Sequence, residues 1–538
     1  MQSNTSNISW SENIANLLVK KRIKHACISP GSRNTPLTHA LIKEKSIKCI
    51  SHIDERSNGF FSLGIAKKTK SPALVLTTSG TATANLLPAI IEAYYSMTPL
   101  IIITADRPKN LTNSGENQTI NQVDIYKNFI RKMIDINITN QASTLKKIDD
   151  IINISNGNHK NIPGPVHINI RFEEPLFDKK QKKVKLTPKK NIIINKKTNL
   201  KLPIFKKPLI VCGHLDSTET KYVYKLIKQL NFPVFADINS DLRHYKNKNI
   251  KVFYDFYCHK ITSPDLIIRF GSKPISKKLN KLLSINRTKT YLINPYLYFN
   301  DDSKYIIRTF PKNILINKNH IIDKKWIDRI EDFENGIISN YSTISRKKDT
   351  EFSILKSLLN NLKEKDHLFI GNSSPVRSFN KYSGKLKNQI HTFTNRGASG
   401  IDGIISTSLG ISSINKKSKN FLVIGDISFF HDINGFNVLQ STKIDLTIIA
   451  INNNGGKIFA SLDYADKKID RFNEFWVTPQ NIEIKNITKV FNIKYFKLNA
   501  KSLNDRLSKI SSFKGVKVIE IKTSHLSDFE VDKKLSLI

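Results

Sequence analysis

Short apolar runs alternate with amphipathic stretches along most of this chain, and that alternation predicts its architecture. Near the start, Ile14, Leu17 and Leu18 share one face of a helix that Ser11 can cap. The run His25-Ala26-Cys27-Ile28-Ser29 reads as a strand that stops at Pro30-Gly31-Ser32-Arg33. Residues 73–77 read as a fully buried strand, 82–96 as a helix and 100–104 as another strand. A helix joining two strands of one sheet implies a crossover, hence parallel pairing. Residues 166–170 add a further strand, and the lysine- and proline-bearing stretch 179–207 predicts a linker with a candidate strand at 192–194. Strands follow at 209–213, 233–237 and 266–271, and weak periodicity over 335–348 marks the next boundary. From Thr350 onward the pattern alternates again, with strands at 367–370, 421–425, 446–451 and 516–521. The expected fold is α/β: three doubly wound domains with parallel sheets, at 1–180, 190–335 and 350–538. There is no short-period repeat, although the first and third domains are candidates for a shared ancestry.

Composition changes this picture little. A length of 538 residues suits roughly three domains. The net charge of +41 invites a nucleic-acid or membrane-surface reading. The lysines, however, are scattered along the whole chain, enriched together with Asn and Ile as A+T-rich coding would produce, and no nucleic-acid motif accompanies them. Specific nucleic-acid binding is therefore not expected. Cys27, Cys49, Cys212 and Cys258 lack metal-ligand spacing and read as reduced thiols. The N-terminus is polar, and no apolar stretch reaches the roughly 18 residues of a spanning helix. A soluble protein of the cytoplasm, or of an organelle interior such as the plastid stroma, is expected.

Chemistry concentrates where predicted strands end. Gly425-Asp426 closes one apolar run and Asn452-Asn453-Asn454-Gly455-Gly456 closes the next. In a parallel sheet both ends face the same side, where ligands bind. Asp426, the Asn453 side-chain oxygen and a carbonyl near Gly455 are hard ligands that suit Mg²⁺ on a diphosphate. A generic α/β protein would use the same residues as a turn and a loop. Upstream, Ile53-Asp54-Glu55-Arg56 precedes Thr78-Ser79-Gly80-Thr81-Ala82-Thr83, and Glu55 by itself reads equally well as a helix-dipole partner. Ser32-Arg33, Arg107, Asn117-Gln118, Arg377 and Arg396 fall in loops after strands or in glycine-rich turns. Singly each arginine reads as solvated; together around a site they would suit a polycarboxylate substrate.

The chain resembles the SEPHCHC (2-succinyl-5-enolpyruvyl-6-hydroxy-3-cyclohexene-1-carboxylate) synthase family of thiamine-diphosphate enzymes. The resemblance is carried by 28–37, Asp54-Glu55-Arg56-Ser57, Thr104-Ala105-Asp106-Arg107-Pro108, Gly164-Pro165-Val166-His167-Ile168-Asn169, Gly371-Asn372-Ser373, 395–403 and 452–459, in the expected order. The block Asn395-Arg396-Gly397-Ala398-Ser399-Gly400-Ile401-Asp402-Gly403 is the most specific. The resemblance implies a pyrimidine-binding, a central and a diphosphate-binding domain. Glu55 would be the carboxyl at N1′ of the cofactor's aminopyrimidine, promoting loss of its C2 proton. Asp426, Asn453 and the Gly455 carbonyl would hold Mg²⁺, or Mn²⁺ in its place. Thr81, Ile401, Gly425, Ile458 and Phe459 would line the cofactor. Ser373, Arg377 and Arg396 would hold the carboxylate of a succinyl unit derived from 2-oxoglutarate. Ser32, Arg33, Arg107, Asn117, Gln118 and Lys277 would hold isochorismate, with Arg33, Gln118, Arg377 and Arg396 closest to the reaction.

The implied assembly is a homodimer or homotetramer with shared sites, and the implied product feeds menaquinone or phylloquinone. Two departures stand out. Ile427 replaces the second glycine of a Gly-Asp-Gly motif, and Glu116 puts a carboxylate beside Asn117-Gln118, where it would oppose an anionic substrate. The alternatives are another thiamine-diphosphate-dependent 2-oxoacid decarboxylase or synthase, and a basic binding protein without catalysis.

Overall fold

The computed structural model describes residues 6–112, 118–138, 141–157, 162–177, 198–199, 202–295, 301, 303–316, 321–344, 349–415, 417–461, 471–523 and 525–536. Backbone contacts divide the chain into two units. One comprises 1–193, 395–416 and 431–445; the other comprises 194–394, 417–430 and 446–538.

The fully apolar runs become interior strands, buried along their whole length because helices cover both faces. In the first unit, β1 (His25–Ile28), β2 (Lys48–Ser51), β3 (Ala73–Thr77), β4 (Leu100–Asp106), β5 (Met133–Asn137) and β6 (Pro165–Arg171) form one sheet in the order β2-β1-β3-β4-β6-β5. Every neighbouring pair is parallel.

The second unit opens with β7 (Thr198–Asn199). It continues with β8 (Pro208–Cys212), β9 (Val234–Ala236), β10 (Ile250–Lys251), β11 (Leu266–Phe270), β12 (Thr290–Ile293) and β13 (Tyr305–Ile307), a parallel sheet ordered β10-β9-β8-β11-β12-β13. Next, β14 (Ile314–Leu315) pairs with β7. Finally β15 (His367–Ile370), β16 (His391–Phe393), β17 (Asn420–Gly425), β18 (Leu446–Asn452), β19 (Lys494–Lys497) and β20 (Val516–Lys522) form a parallel sheet ordered β16-β15-β17-β18-β20-β19. The first and third sheets thus share one strand order, and the fold is the three-sheet α/β arrangement that the apolar pattern predicts.

Within the first unit, helix Glu55–Thr69 packs on helix Ile404–Ile414 almost backbone to backbone. A Cβ at Gly64 would collide with the Thr407 carbonyl, and one at Gly410 with the Phe61 carbonyl. This contact anchors the helix that begins with Glu55. Beneath the ends of β4 and β6 lies a buried polar network. Asn169 Nδ2 donates to Asp106 (2.9 Å) and Asp135 (2.8 Å), while its Oδ1 accepts from Thr104 and from Gln122. Thr104 spends its only proton on Asn169, so His167 Nε2 must donate to Thr104 Oγ1, 2.7 Å away. Burial pushes the His167 pKa down to about 3, which keeps the ring neutral.

Three local expectations are corrected. Ser6, not Ser11, caps the first helix, accepting from Ser9 N at 3.1 Å, because Ile8 and Trp10 are buried and draw the helix back to Asn7–Lys20. The helix expected over 82–96 is two helices, Thr81–Ala84 and Leu87–Tyr95. Pro88 lacks an N–H and would crowd the carbonyl of Ala84. Residues 335–343, read as a boundary, close the helix Lys324–Thr343, which buries Trp326, Ile330 and Ile337. Its buried Glu334 accepts from Val252 N, Phe253 N and the Tyr257 hydroxyl, a polar role that breaks the apolar stripe. The candidate strand at 192–194 lies outside the described residues. Among the described residues no helix is long and apolar enough to cross a membrane.

Candidate active site

In open parallel sheets, ligands collect beyond the strands' carboxyl ends where the strand order reverses. That point lies between β1 and β3 in the first sheet and between β15 and β17 in the third. Of the residues singled out in the sequence, Ser32 and Thr81 follow β1 and β3, and Ser373 and Asp426 follow β15 and β17.

At the first sheet, Arg107 follows β4 and is buried. It donates to Ser79 Oγ at 2.6 Å and to the Gln118 carbonyl at 2.9 Å. Gln118 is exposed, holds a left-handed backbone (φ +58°) and reaches the Ser79 carbonyl at 3.5 Å. Gln122 accepts from Gly80 N at 3.0 Å, tying the 78–81 loop to the buried polar network. Thr81 is exposed at the start of its short helix, and Ser32 is exposed in the loop after β1. Arg33 is buried and turned toward the end of β6, donating to the Phe172 carbonyl and pairing with Glu174, both at 3.1 Å. Asn117 and Glu116 lie outside the described residues.

Glu55 is the first residue of its helix, half-buried, with Asp54 as the cap that accepts from Ser57 N. Asn85 Nδ2 donates to Glu55 Oε2 at 3.1 Å. The segment is clamped on both flanks: Arg56 donates to the His431 carbonyl at 3.1 Å, and Asn434 donates to Asp54 at 2.9 Å. Arg396 and Ile401, both half-buried, lie on the loop leading to helix Ile404–Ile414.

At the third sheet, Asp426 directly follows β17 and is buried. Its Oδ1 accepts from Ile427 N (2.9 Å) and its Oδ2 from Gly455 N (2.7 Å). Burial raises its pKa, and backbone N–H donors, Gly455 foremost, pull it back. Asn453 Oδ1, just past β18, is buried and accepts no hydrogen bond from the described residues. An orphaned buried acceptor is costly unless something supplies a positive partner. Gly455 sits at φ +119°, and a Cβ there would collide with the Val477 carbonyl, so only glycine fits. Among the described residues no three His, Cys, Asp or Glu side chains cluster as a metal site. A cation here would rest on one carboxylate, one amide oxygen, a carbonyl and oxygens of its ligand, which fits Mg²⁺ on a diphosphate.

Ser373 precedes helix Ser374–Tyr382 at a positive φ (+69°) rare for a non-glycine residue, and its carbonyl accepts from Arg377 Nη1 at 2.6 Å. Such strained positions in non-glycine residues concentrate at functional sites. The Ser374 and Ser378 hydroxyls both donate to Glu351, pinning that helix. Ile458 is half-buried and Phe459 exposed on the turn Lys457–Ser461. Gly425 ends β17, and Lys277 is exposed at the start of helix Lys277–Ile285.

The structure therefore brings Arg107 to Gln118, Asp426 to Gly455 and Ser373 to Arg377, while hydrogen bonds join Lys277 to none of these. Asn85, Gln122 and Glu351 escaped the sequence reading, and Ser79 entered it only as part of the 78–83 run. Each is an ordinary polar residue with partners 23 to 47 positions away, a separation that leaves no local signature.

The N-terminal TPP-binding domain of thiamine pyrophosphate enzymes matches residues 8–125, and the middle domain of thiamine pyrophosphate enzymes matches residues 173–370. With three parallel sheets and these two matches, the molecule is a thiamine-diphosphate-dependent enzyme. Proteins named 2-succinyl-5-enolpyruvyl-6-hydroxy-3-cyclohexene-1-carboxylate synthase are similar to it over nearly their whole length. That of Listeria innocua is 31% identical, covering 94% of this chain and 93% of its own. That of Chlorobium phaeobacteroides is 34% identical over 90% and 89%, and that of Leuconostoc mesenteroides 32% over 96% and 96%. The chain belongs to this synthase family, a family of transferases.

Proposed function

We propose that the enzyme joins 2-oxoglutarate to isochorismate with loss of CO₂, forming 2-succinyl-5-enolpyruvyl-6-hydroxy-3-cyclohexene-1-carboxylate on the way to menaquinone or phylloquinone. The observation that carries the cofactor half is the orphaned, buried Asn453 Oδ1 close in sequence to Gly455, which binds Asp426. Family membership supports the choice of substrates.

Asp426, Asn453 and the Gly455 carbonyl would hold Mg²⁺, or Mn²⁺, against the diphosphate of thiamine diphosphate, and Glu55 would meet the aminopyrimidine. When bound, that cofactor supplies the electron sink that lets a 2-oxoacid lose CO₂ and its former keto carbon act as a nucleophile. Asn85, donating to one oxygen of Glu55, leaves the other free to exchange a proton with the ring nitrogen. Thr81, Gly425, Ile458 and Phe459 would line the cofactor, and Ile401 would keep it bent. Ser373, Arg377 and Arg396 would grip the remote carboxylate of 2-oxoglutarate. Burial lowers the Arg377 pKa, yet a guanidinium stays charged throughout the working pH range. Arg107, held by Ser79 and the Gln118 carbonyl, would contact isochorismate together with Ser32, Arg33, Asn117, Gln118 and Lys277. Fixing both substrates this way would contribute several kcal/mol through orientation alone.

We read the three sheets as the pyrimidine-binding (1–180), central (190–335) and diphosphate-binding (350–538) domains. Glu55 would serve the diphosphate half of a second copy, in a homodimer or homotetramer with shared sites.

The test is isochorismate consumption by the purified protein with 2-oxoglutarate, thiamine diphosphate and Mg²⁺, with the product identified by mass. Loss of isochorismate that needs every component, with the succinyl adduct appearing, is the expected result. CO₂ release without isochorismate loss would overturn the acceptor, and pyruvate turnover above that of 2-oxoglutarate would overturn the donor.

A further inference from the structure

The loop bearing Arg396 is fastened by a buried ion pair that lies far upstream in sequence. Glu92, on helix Leu87–Tyr95, is only 3% exposed. Its Oε1 accepts from Gly397 N at 3.1 Å and Lys67 Nζ at 3.0 Å, and its Oε2 accepts from Ala398 N at 2.7 Å. Lys67 Nζ also donates to Asn395 Oδ1 at 2.9 Å, and Asn395 Nδ2 donates to Thr407 Oγ1 at 3.0 Å. The loop backbone lies hard against the helix: a Cβ at Gly397 would sit 2.6 Å from the Glu92 carbonyl and 2.7 Å from Ser96 N. Residues 395, 397 and 398 are thus each tied down, with Arg396 between them. Burial lowers the Lys67 pKa while Glu92 raises it again, so each charge depends on the other. A cavity of about 230 Å³ opens beside the pair, walled by Phe60, Leu87, Ile91, Ala398 and Asp402.

We propose that Glu92 and Lys67 are positioning residues that hold Arg396 in the attitude required to read the remote carboxylate of the 2-oxoacid. The inference rests on the assignment of Arg396 to that carboxylate. A surface loop with three untied residues would let a guanidinium sweep over several ångströms. Three anchors on its neighbours remove that freedom before substrate arrives, and bidentate recognition depends on such alignment.

A purely structural ion pair would predict something else: a less stable protein with unaltered substrate preference. The readout is therefore the ratio of kcat/KM for 2-oxoglutarate to that for 2-oxobutanoate, which lacks the remote carboxylate, measured as CO₂ release. Glu92→Asp keeps the charge but shortens the reach. The double variant Glu92→Gln with Lys67→Met removes both charges together, so that one variant remains testable if a lone buried charge prevents folding. Either variant should lower the ratio at least tenfold, chiefly through the KM for 2-oxoglutarate, while thiamine-diphosphate affinity stays within twofold. Amide hydrogen exchange at Gly397 and Ala398 should accelerate in the same variants. An unchanged ratio would overturn the positioning role. Arg396→Ala separates the two levels: if it lowers the ratio and the Glu92 variants do not, positioning alone fails. If Arg396→Ala leaves the ratio unchanged, the assignment of Arg396 fails and the inference falls with it.

Discussion

The central and third sheets have the same kind of crevice and fill it differently. Each has six parallel strands whose order reverses beside the first strand, between β8 and β11 in one and between β15 and β17 in the other. The central order is even the one associated with dinucleotide binding. Yet its two loops close on each other. A Cβ on Gly213 would collide with the Ser272 carbonyl, one on Gly271 would collide with the His214 carbonyl, and Ser272 N donates to His214 O at 3.3 Å. Nearby, Arg269 and Asp301 form an ion pair with side chains 1% and 0% exposed, which satisfies the protein's own charges internally. In the third sheet a Cβ at Gly425 would meet, among the described residues beyond its chain neighbours, no atom within 4 Å, and Asp426 and Asn453 present oxygens at the adjoining strand ends. Strand order decides where a crevice can form. The approach of backbone to backbone decides whether anything can enter it.

The sharpest way to break this contrast is to remove a charge from each sheet. Asp426→Ala should weaken Mg²⁺-dependent thiamine-diphosphate binding by on the order of 100-fold, since even outer-sphere changes cost about 10- to 100-fold. Calorimetric titration with an unaltered affinity would end the distinction. Asp301→Asn should leave that affinity intact but strand Arg269 in the interior, at a cost of about 3–5 kcal/mol in urea unfolding.

A smaller pair of changes tests the space itself. Gly213→Ala should destabilise the fold by about 1–3 kcal/mol through overpacking. Gly425→Ala should change stability by less than about 0.5 kcal/mol, while lowering cofactor affinity roughly tenfold because its methyl enters the space the diphosphate would take. Equal behaviour of the two variants would refute the comparison.

The smallest effect carries the comparison to the first sheet, whose ligand-side loops rest on the His167–Thr104–Asn169 network. His167 has a folded pKa of about 3, below its ordinary value near 6.5. Between those values the unfolded chain binds a proton that the folded chain does not. Stability should therefore be intact above pH 6.5 and decline as pH falls, by on the order of a few kcal/mol at most. His167→Gln, which can still donate to Thr104, should reduce the slope of the urea midpoint against pH by up to one proton.

Most interior strands were legible because a strand covered on both faces must be apolar throughout; the interior β12, Thr290–Ile293, was missed. β3 and β15 match the predicted bounds, and β8, β17 and β20 differ by a residue at one or both ends. The edge strands of the three large sheets, β2, β5, β10, β13, β16 and β19, were not read, nor was the pair β7 and β14. β19, Lys494-Tyr495-Phe496-Lys497, is partly exposed and offers no apolar run. Of the site, the oxygens of Asp426 and Asn453 were predictable because hard-ligand residues and glycines at strand ends are a local pattern. The ion pair of Arg33 with Glu174, the clamp on Asp54 and Arg56, and the Glu92–Lys67 anchors were not, for they join groups up to 380 positions apart.

By itself, then, the sequence determined the α/β class, the succession of strands and helices, and which residue types stand at the strand ends. Each of these follows from burial and turn chemistry averaged over a few neighbouring residues. Tertiary structure alone decided that the first and third sheets share a strand order while the central one differs, that the central crevice is sealed, and that Arg396 sits between three fixed neighbours. Those outcomes depend on how closely two backbones pass and on where a buried charge finds its counterion. Such distances arise between segments remote in sequence and leave no periodicity along the chain.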